Sequence, residues 1–564
     1  MTRSLLVLFF LSLPSFGQDH APEQGRLAAA QTALDAGHWA EAARLTQGSE
    51  DQSSDFDLLR GLALSHLAEW DDAKLAFEAG RRKSPRDSRF PLELAGVAYK
   101  QKDFRRAKKN LESALRLNPT DGYAQEFLGT IYFLEGDLEA ALKYWNREDR
   151  PRLRSVGFAP LPRLSETLRN RALAFNAPQT LTGEALLTSE SRLDNLGIFS
   201  SRRMELAPTE SGSYDLTLHL SERNLWGHSK VEGLVSFLSG LPYETVYPEL
   251  YNLGRQAINL TSLARWDDEK RRILVGASLP VYDDPGLRLR FYLDARNENW
   301  NLSETFTGGL APLAGVNLRR MAAGAEFHSV VNGRSTWSAG AEAASRRFRN
   351  VPGTLSPAER VFFSNGNSLS GWLGLGRNLA RVPERRFTMD SSLTLRAGRE
   401  FPSALGPFAN FRGSLDAHWF PRAKGDDFEM RGRLRAGLTA GKASLDELFQ
   451  LGVERDNDLW LRGHAGTIDG RKGAAPLGRR YFLANWELDK NIYGNGLFAV
   501  KLGPFLDSGA IADSSGFFGT RSWLWDSGLQ CKVRILGPLT AVFSYGRNLQ
   551  GGKGVFYGTV LRAP

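Results

Sequence analysis

The sequence of 564 residues contains a single cysteine and, beyond its first residues, no long apolar segment. Because Cys531 has no second cysteine to pair with, an intramolecular disulfide is excluded. After residue 17 no run of 18 or more apolar residues occurs, which excludes a membrane-spanning helix. A membrane-embedded protein with this property must be a closed β-barrel, since only closure satisfies the backbone polar groups of strands in lipid.

The motifs of common enzymes are missing as well. The sequence has no G-x-S-x-G of a hydrolase, no H-E-x-x-H of a zinc protease, no Walker phosphate loop and no Cys/His cluster. Its 8 histidines are scattered, and a structural role is the simpler interpretation of each. We therefore predict no catalytic residue, no metal site and no cofactor, and we do not expect an enzyme.

The charge is moderately basic, with 72 Lys and Arg against 63 Asp and Glu and a net charge of +9. A basic chain can bind nucleic acid, but no aromatic-basic recognition module accompanies the charge. Much of the excess is arginine on short alternating segments, which suits a barrel lumen or contact with anionic lipid headgroups. We expect outer-membrane lipid as a partner and no nucleic acid.

The first residues, MTRSLLVLFFLSLPSFGQ, have the composition of a cleavable secretory signal. Arg3 precedes an apolar run, and the small residues Ser15 and Gly17 follow it. No cysteine lies near the expected cleavage point, so lipoprotein anchoring is not expected. We predict a signal peptide over residues 1–17.

Residues 18–150 are predicted to be helical and repeat with a period of 34. The repeating positions hold small residues, aromatic or apolar residues and prolines: Ala73, Ala107 and Ala141; Gly61, Ala95 and Gly129; Trp70, Phe104 and Leu138; Pro85 and Pro119. This pattern resembles the tetratricopeptide repeat, whose helices cross too closely for large side chains. The resemblance implies an all-α solenoid that binds a peptide or protein, with an irregular first copy at residues 37–45. An inert helical spacer is the alternative.

Residues 151–224 predict a small α+β domain. A helical apolar pattern ends at residue 196, and residues 213–222 alternate like a strand after a glycine turn. The L-G-x-F turn with Gly197 and Phe199, followed by that strand, resembles a single POTRA domain. Gly197 suits the helix exit because glycine tolerates positive φ. The resemblance implies capture of unfolded substrate or accessory proteins by edge-strand pairing, whereas the alternative is an ordinary α/β linker domain.

Over residues 225–564 short runs with period two replace helical periodicity. Examples are residues 273–282, 287–296, 370–379, 387–398, 428–440 and 523–535. Alternate positions are apolar or aromatic, and the others are Arg, Ser, Asp or Gly, as in strands that face lipid on one side and a lumen on the other. The length predicts a C-terminal transmembrane β-barrel of about 16 antiparallel strands. A soluble β-sandwich would alternate in the same way, so the signal peptide and the C-terminal motifs decide for the barrel.

Two C-terminal motifs are the most specific, LWLRGH at residues 459–464 and PFLDSG at residues 504–509. With the strands around them they resemble the outer-membrane barrel superfamily that contains BamA, the TamA family and two-partner secretion transporters, also called the bacterial surface antigen family. The resemblance implies that a loop over about residues 441–476 folds into the lumen. It also implies that Arg462, beside Gly463, meets Asp507 on a strand. A planar guanidinium can bind a carboxylate through two hydrogen bonds.

The last segment resembles the signal by which outer-membrane barrels are themselves recognised for insertion. Its polar-x-Gly-x-x-apolar-x-apolar pattern would consist of Gln550, Gly552, Val555 and Tyr557. The chain departs from the family at its end, where L-R-A-P replaces a terminal aromatic residue. The resemblance further implies that the last strand pairs with a first strand near residues 230–241, at a seam where substrate strands enter.

These features predict a multidomain protein of the bacterial outer membrane with its N-terminal domains in the periplasm. The resemblance implies an insertase or translocase that assembles or exports polypeptides. Its substrates would be unfolded outer-membrane or secreted polypeptides, and its repeats would bind periplasmic accessory proteins. The alternatives are a dedicated secretion pore for specific partner proteins, an exopolysaccharide export barrel, and a structural or receptor barrel without transport.

Overall fold

A computed structural model describes most of the chain, namely residues 21–48, 53–223, 234, 237, 239–302, 314–401, 406–421, 427–495, 498–513, 517–520, 522–535 and 539–562. The predicted signal peptide and most of the predicted first barrel strand at residues 230–241 lie outside the described residues. The chain forms two compact units, Met1–Asp149 and Arg150–Pro564.

The first unit is a succession of helices. They are α1 (Ala21–Asp35), α2 (Trp39–Leu45), α3 (Ser54–His66), α4 (Trp70–Lys83), α5 (Arg89–Lys100), α6 (Phe104–Leu117), α7 (Gly122–Leu134) and α8 (Leu138–Trp145). Aspartates cap the last three, because the side chains of Asp103, Asp121 and Asp137 accept backbone N–H groups of the first turn. Within the described ranges, no helix is both long enough and apolar enough to cross a membrane.

Small residues allow these helices to pack closely. Ala73, Ala107 and Ala141 are fully buried, as their 34-residue spacing predicts. A Cβ atom on Gly61 would lie 2.4 Å from the ring of Phe77, so no larger residue fits there. Each helix packs on its neighbours in the chain, and the predicted all-α solenoid is confirmed.

The second unit begins with a small α+β domain. Its elements are β1 (Leu153–Phe158), α9 (Glu166–Ala172), α10 (Gly183–Leu196), β2 (Phe199–Pro208) and β3 (Tyr214–Glu222). The sheet has the order β1-β3-β2, with β1 parallel and β2 antiparallel to β3. Helix α10 is capped by the Thr182 hydroxyl and ends at Gly197, whose φ of 68° is left-handed. The prediction of a small α+β unit is confirmed, although the sequence had not indicated β1 and α9.

The remainder consists of a closed antiparallel barrel and a separate sheet of two short strands, β15 (Phe449–Gln450) and β18 (Leu477–Gly478). Its strands are β4 (Thr245–Val246), β5 (Glu249–Leu253), β6 (Ile258–Arg265), β7 (Lys270–Val281), β8 (Asp284–Asn301), β9 (Ala314–Asn332), β10 (Ser335–Arg349), β11 (Gly366–Val382), β12 (Phe387–Phe401), β13 (Pro407–Trp419), β14 (Phe428–Gly441), β15 (Phe449–Gln450), β16 (Thr467–Ile468), β17 (Arg471–Lys472), β18 (Leu477–Gly478), β19 (Arg480–Gly494), β20 (Phe498–Ala512), β21 (Leu524–Ile535), β22 (Leu539–Asn548) and β23 (Gly554–Arg562). A short helix, Pro357–Arg360, lies between β10 and β11.

The wall of the barrel closes without β15–β18. Strand β14 pairs directly with β19, so the chain between them, residues 442–479, leaves the wall, and we call this segment the inward loop. Strands β4 and β5 both pair with β6 and form one interrupted strand. The described wall then has fifteen strands, which agrees with the predicted barrel of about 16.

The two faces of the wall differ in polarity, as the alternation predicts. On β11 the side chains of Leu369, Leu373 and Leu375 point outward and are 59%, 62% and 63% exposed. Ser368 and Ser370, on either side of Leu369, point inward and are buried. An apolar outside and a polar inside are typical of a barrel surrounded by lipid.

Candidate functional site

The inward loop is packed against the inner side of the wall. Gly441 lets the chain turn at the end of β14, because its φ is +87° and a Cβ atom there would lie 2.3 Å from the Pro407 carbonyl oxygen. Leu451 and Leu461 of the loop are fully buried in a cluster with Leu483 of β19. Burying a leucine side chain contributes about 1.5–3 kcal/mol, so apolar packing is one of the contributions that hold the loop inside.

Arg462 and Asp507, which the sequence predicted to meet, are in direct contact. The Arg462 Nε and Nη2 atoms donate to the two Asp507 carboxylate oxygens at 2.9 and 2.6 Å. The Arg462 backbone N–H donates to the same carboxylate at 3.0 Å. Both side chains are buried, with Arg462 2% exposed and Asp507 0% exposed. The pair joins the loop to the middle of β20 with fixed orientation.

Further groups complete the environment of this pair. The Arg462 Nη1 atom donates to Glu487 at 2.7 Å and to the Gln530 side-chain oxygen at 2.8 Å. Its guanidinium carbon lies 3.8 Å from the centre of the Phe505 ring. The Asn485 amide donates to Asp507 at 2.7 Å. The buried guanidinium therefore has a partner for each of its nitrogens, which such burial requires.

Gly463 and His464 attach the loop to a second carboxylate. The Gly463 backbone N–H donates to Asp526 at 2.5 Å, and the His464 Nδ1 atom lies 3.0 Å from the same oxygen. A Cβ atom on Gly463 would lie 2.6 Å from the Asn548 nitrogen and from Asp526, so glycine is required by close approach to the wall. Asp526 is opposite Asp507 in the sheet. We call the contacts of Arg462, Gly463 and His464 the Arg462 anchor.

The sequence had indicated Arg462, Gly463 and Asp507 but had not singled out Asp526, Glu487 or Asn485. Glu487 and Asn485 are two positions apart on β19, in a segment for which the resemblance implied a strand but no individual contact. Asp526 lies in the alternating run at residues 523–535, which predicted a strand with one polar face but no individual partner. The signal that could have identified these residues is the presence of polar and charged side chains at inward-facing positions of adjacent strands.

A second anchor, at the start of the inward loop, was not predicted. Arg346 of β10, 1% exposed, donates to Glu447 at 2.9 Å and to Asp446 at 3.2 Å. It also donates to Glu400 of β12 at 2.6 Å. Arg320 of β9 adds an ion pair to Asp446 at 3.3 Å. We call these contacts the Arg346 anchor.

A third anchor joins the middle and the end of the loop to strands β6–β8. Arg265 and Arg272 each donate to the carboxylate of Asp456 at 2.8 Å. Lys472, near the end of the loop, donates to Glu298 of β8 at 2.8 Å and lies 3.5 Å from Asp456. We call these contacts the Asp456 anchor. The loop is thus tied to three separate arcs of the wall, where the sequence had predicted one.

The predicted turn residues Gly197 and Phe199 lie where the α+β domain contacts the barrel. The Leu196 carbonyl, at the end of α10, accepts a hydrogen bond from Asn259 at 3.0 Å and another from Arg288 of β8. A positive side chain at the C-terminus of a helix is stabilised by the helix dipole. Gly197 and Phe199 both line a cavity of about 970 Å3 between this domain and the barrel.

The four residues of the predicted C-terminal signal are divided between two elements. Gln550 and Gly552 lie in the turn before β23, where Gly552 has a φ of +67°, and so they are outside the strand. Val555 and Tyr557 lie in β23. The reason is that β22 continues to Asn548, which leaves the glycines to make the hairpin turn.

A cavity of about 760 Å3 remains inside the barrel beside the inward loop. Its lining has charges of both signs, with Arg431, Arg433 and Lys532 facing Asp390 and Asp416 among others. In the described part of the chain, no cluster of three or more His, Cys, Asp or Glu side chains is arranged to hold a metal ion.

Comparison with known proteins divides along the two units. Residues 92–151 match the family model of the tetratricopeptide repeat. The predicted repeat region is confirmed for this segment. No curated protein matches the chain in sequence.

The chain is also similar to solved barrel structures. BamA from Haemophilus ducreyi lacking POTRA domains 1–3 is 13% identical with a TM-score of 0.42, over 73% of this chain and 85% of that one. CdiB from Escherichia coli is 14% identical with a TM-score of 0.46, over 73% and 75%. CdiB from Acinetobacter baumannii is 13% identical with a TM-score of 0.45, over 83% and 86%. At such identities function is not transferable, so the function proposed for this chain depends on its own contacts.

Proposed function

We propose that this protein is an outer-membrane insertase or translocase that assembles or exports polypeptides. The observation that carries the proposal is the buried contact of Arg462 with Asp507, which fixes a long loop inside a closed barrel. The sequence resemblance implies this same contact, between residues 45 positions apart. The domain order also fits, because helical repeats and an α+β domain precede the barrel.

The tied-down loop argues against an exopolysaccharide export barrel. A hydrated polymer needs a continuous open path, whereas the inward loop is held to three arcs of the wall. Strands β1 and β2 are the edges of the α+β sheet, which favours polypeptide handling, since an edge strand can pair with an extended segment. The repeats would bind accessory proteins on the periplasmic side.

Photo-crosslinking in liposomes tests the proposal. A photoreactive residue replaces Thr388, which lines the lumen cavity, in the purified full chain, and an unfolded outer-membrane barrel protein is added as client. We expect a covalent adduct with the client at this position. The control replaces Leu373, on the outer face, and should give none. Equal labelling at both positions, or no adduct at Thr388, would refute polypeptide handling by the barrel.

A further inference from the structure

The wall of a barrel made by one chain has one junction without a connecting hairpin, where its first and last strands meet. Only non-covalent contacts hold that junction. In this barrel β23 borders β4, and we call the contact between β23 and residues 241–247 the seam. The Tyr243 hydroxyl donates across it to the Gly558 carbonyl at 2.9 Å. A Cβ atom on Gly558 would lie 3.0 Å from that hydroxyl oxygen, so a bulkier residue would push Tyr243 away.

The inward loop contacts both sides of the seam from within. On the β4 side, the Arg455 guanidinium carbon lies 3.3 Å from the centre of the Tyr243 ring. Its Nη1 atom also donates to the Tyr243 carbonyl at 3.4 Å. On the β23 side, the Trp460 ring packs edge-on against the Tyr557 ring, with 5.7 Å between centres and 74° between planes.

The Arg455–Tyr243 and Trp460–Tyr557 contacts both hold the loop to the seam. A cation over an aromatic face and an edge-to-face aromatic pair are each net attractive. The loop therefore connects two strands that no hairpin connects.

The two loop residues are held rigidly by the anchors. Arg455 precedes Asp456, which is fixed by Arg265 and Arg272. Trp460 lies two positions before Arg462, and its carbonyl accepts a hydrogen bond from Asn485 of β19 at 2.8 Å. Displacement of the loop would consequently withdraw both contacts from the seam together.

We propose that Arg455 and Trp460 form a clamp that keeps the seam closed while the inward loop is anchored. The clamp regulates the barrel of the proposed insertase or translocase, and in that sense it rests on the proposed function. Arg455 and Trp460 line the lumen cavity, as do Thr559 and Val560 of β23. Opening the seam therefore joins this cavity to the outside of the wall beside β23.

Distances between spin labels test the clamp directly. In the full chain with Cys531→Ser, labels are attached at Glu244→Cys and Phe556→Cys, which are exposed on the two sides of the seam. The control pair is Leu529→Cys with Tyr545→Cys, outward-facing register partners on hairpin-linked strands. The distance in each pair is measured in the parent protein and in three variants. The first variant carries Arg455→Ala plus Trp460→Ala, and the second carries the conservative Arg455→Lys plus Trp460→Phe. The third carries Trp419→Ala and serves as a control for the loss of an exposed tryptophan.

We expect the double alanine variant to add a population in which the seam labels are farther apart by one strand spacing, about 5 Å, or more. The control pair should keep its distance, which also shows that the barrel is folded. The conservative and Trp419→Ala variants should match the parent. An unchanged seam distance would overturn the clamp, and so would equal widening of both pairs. No client protein is present in this measurement, so its outcome is independent of the proposed function. The proposed function is tested separately, by whether a client crosslinks to the lumen.

Discussion

At the residue scale, the chemistry of the inward loop is concentrated in side chains that are charged and buried. Arg462 donates four side-chain hydrogen bonds, to Asp507, Glu487 and Gln530. A buried charge network adds little net stability compared with apolar packing, but removing one partner leaves the others uncompensated. The loss of stability caused by a substitution in this network therefore depends mainly on which buried charge remains without its partner.

Replacing Arg462 by alanine should destabilise the barrel by about 3–5 kcal/mol, because the buried Asp507 loses its cation. The measurement is the free energy of unfolding in urea, in detergent micelles. Arg433→Ala is the matched control, since Arg433 and its partner Asp416 have side chains 48% and 38% exposed. Its cost should stay below about 1 kcal/mol. Equal costs for the two variants would contradict a buried anchor.

Replacing Gly463 by alanine should destabilise the barrel by roughly 1–3 kcal/mol, because the new methyl group overlaps Asp526 and the Asn548 backbone. Gly494→Ala provides the comparison, since a Cβ atom there would meet only the Asn491 side chain at 3.9 Å. Urea unfolding of both variants checks the difference. A Gly463→Ala barrel as stable as Gly494→Ala would mean that the loop does not approach the wall so closely.

The repeat helices should lose stability as the pH rises from about 4.5 to 7. Burial raises the pKa of Glu93 in α5 from 4.5 to about 7, so the folded form retains a proton that the unfolded chain has lost. The full contribution is present below pH 4.5 and disappears above pH 7, with a size of up to about 3 kcal/mol. Glu93→Gln should remove this dependence of the helical melting signal, while Glu112→Gln in α6 should preserve it. A pH-independent melting temperature in the parent protein would contradict the raised pKa.

At the element scale, local chemistry explains what the sequence could predict. The end of α10 at Gly197 was predicted because glycine is needed where φ is positive. The start of the loop near residue 441 was implied by the family resemblance, and Gly441 also has a positive φ. Strand β1 was not predicted, since its residues are half exposed and its partner β3 lies some 60 positions away. The Arg346 anchor was not predicted because Asp446 and Glu447 resemble an ordinary solvated acidic pair. Their partner is 100 positions distant, and nothing local indicates it.

Because the loop has three anchors, loss of one should leave it in place. Trypsin can report this at Arg455 and Lys472, which lie in the loop and are engaged in contacts. We expect the inward loop to resist trypsin in the parent protein and in the single variants Arg462→Ala and Arg346→Ala. In the variant that carries both substitutions, we expect cleavage within residues 442–479. Cleavage already complete in Arg462→Ala would contradict independent anchors. Fragments from the repeat region should be the same in all four proteins and serve as the internal control.

At the scale of the whole molecule, the chain combines a tetratricopeptide segment, an α+β domain and a barrel whose lumen is crossed by an anchored loop. Helix α10 ends against the inside of the barrel through Arg288, so the α+β domain and the barrel form one compact unit. The boundaries at residues 17, 150 and 224 stay predictions. The proposed seam clamp links this architecture to function, because it makes closure of the wall depend on the position of the loop.

The rate at which an unfolded outer-membrane barrel protein folds into liposomes tests the central proposal most directly. Empty liposomes are compared with liposomes that contain the parent protein, Arg462→Ala or Arg271→Ala, whose exposed arginine does not line the lumen cavity. We predict faster folding of the client with the parent protein, a reduced effect with Arg462→Ala and an unchanged effect with Arg271→Ala. No acceleration by the parent, together with ion or sugar conductance that Arg462→Ala leaves unchanged, would contradict an insertase and favour an export pore.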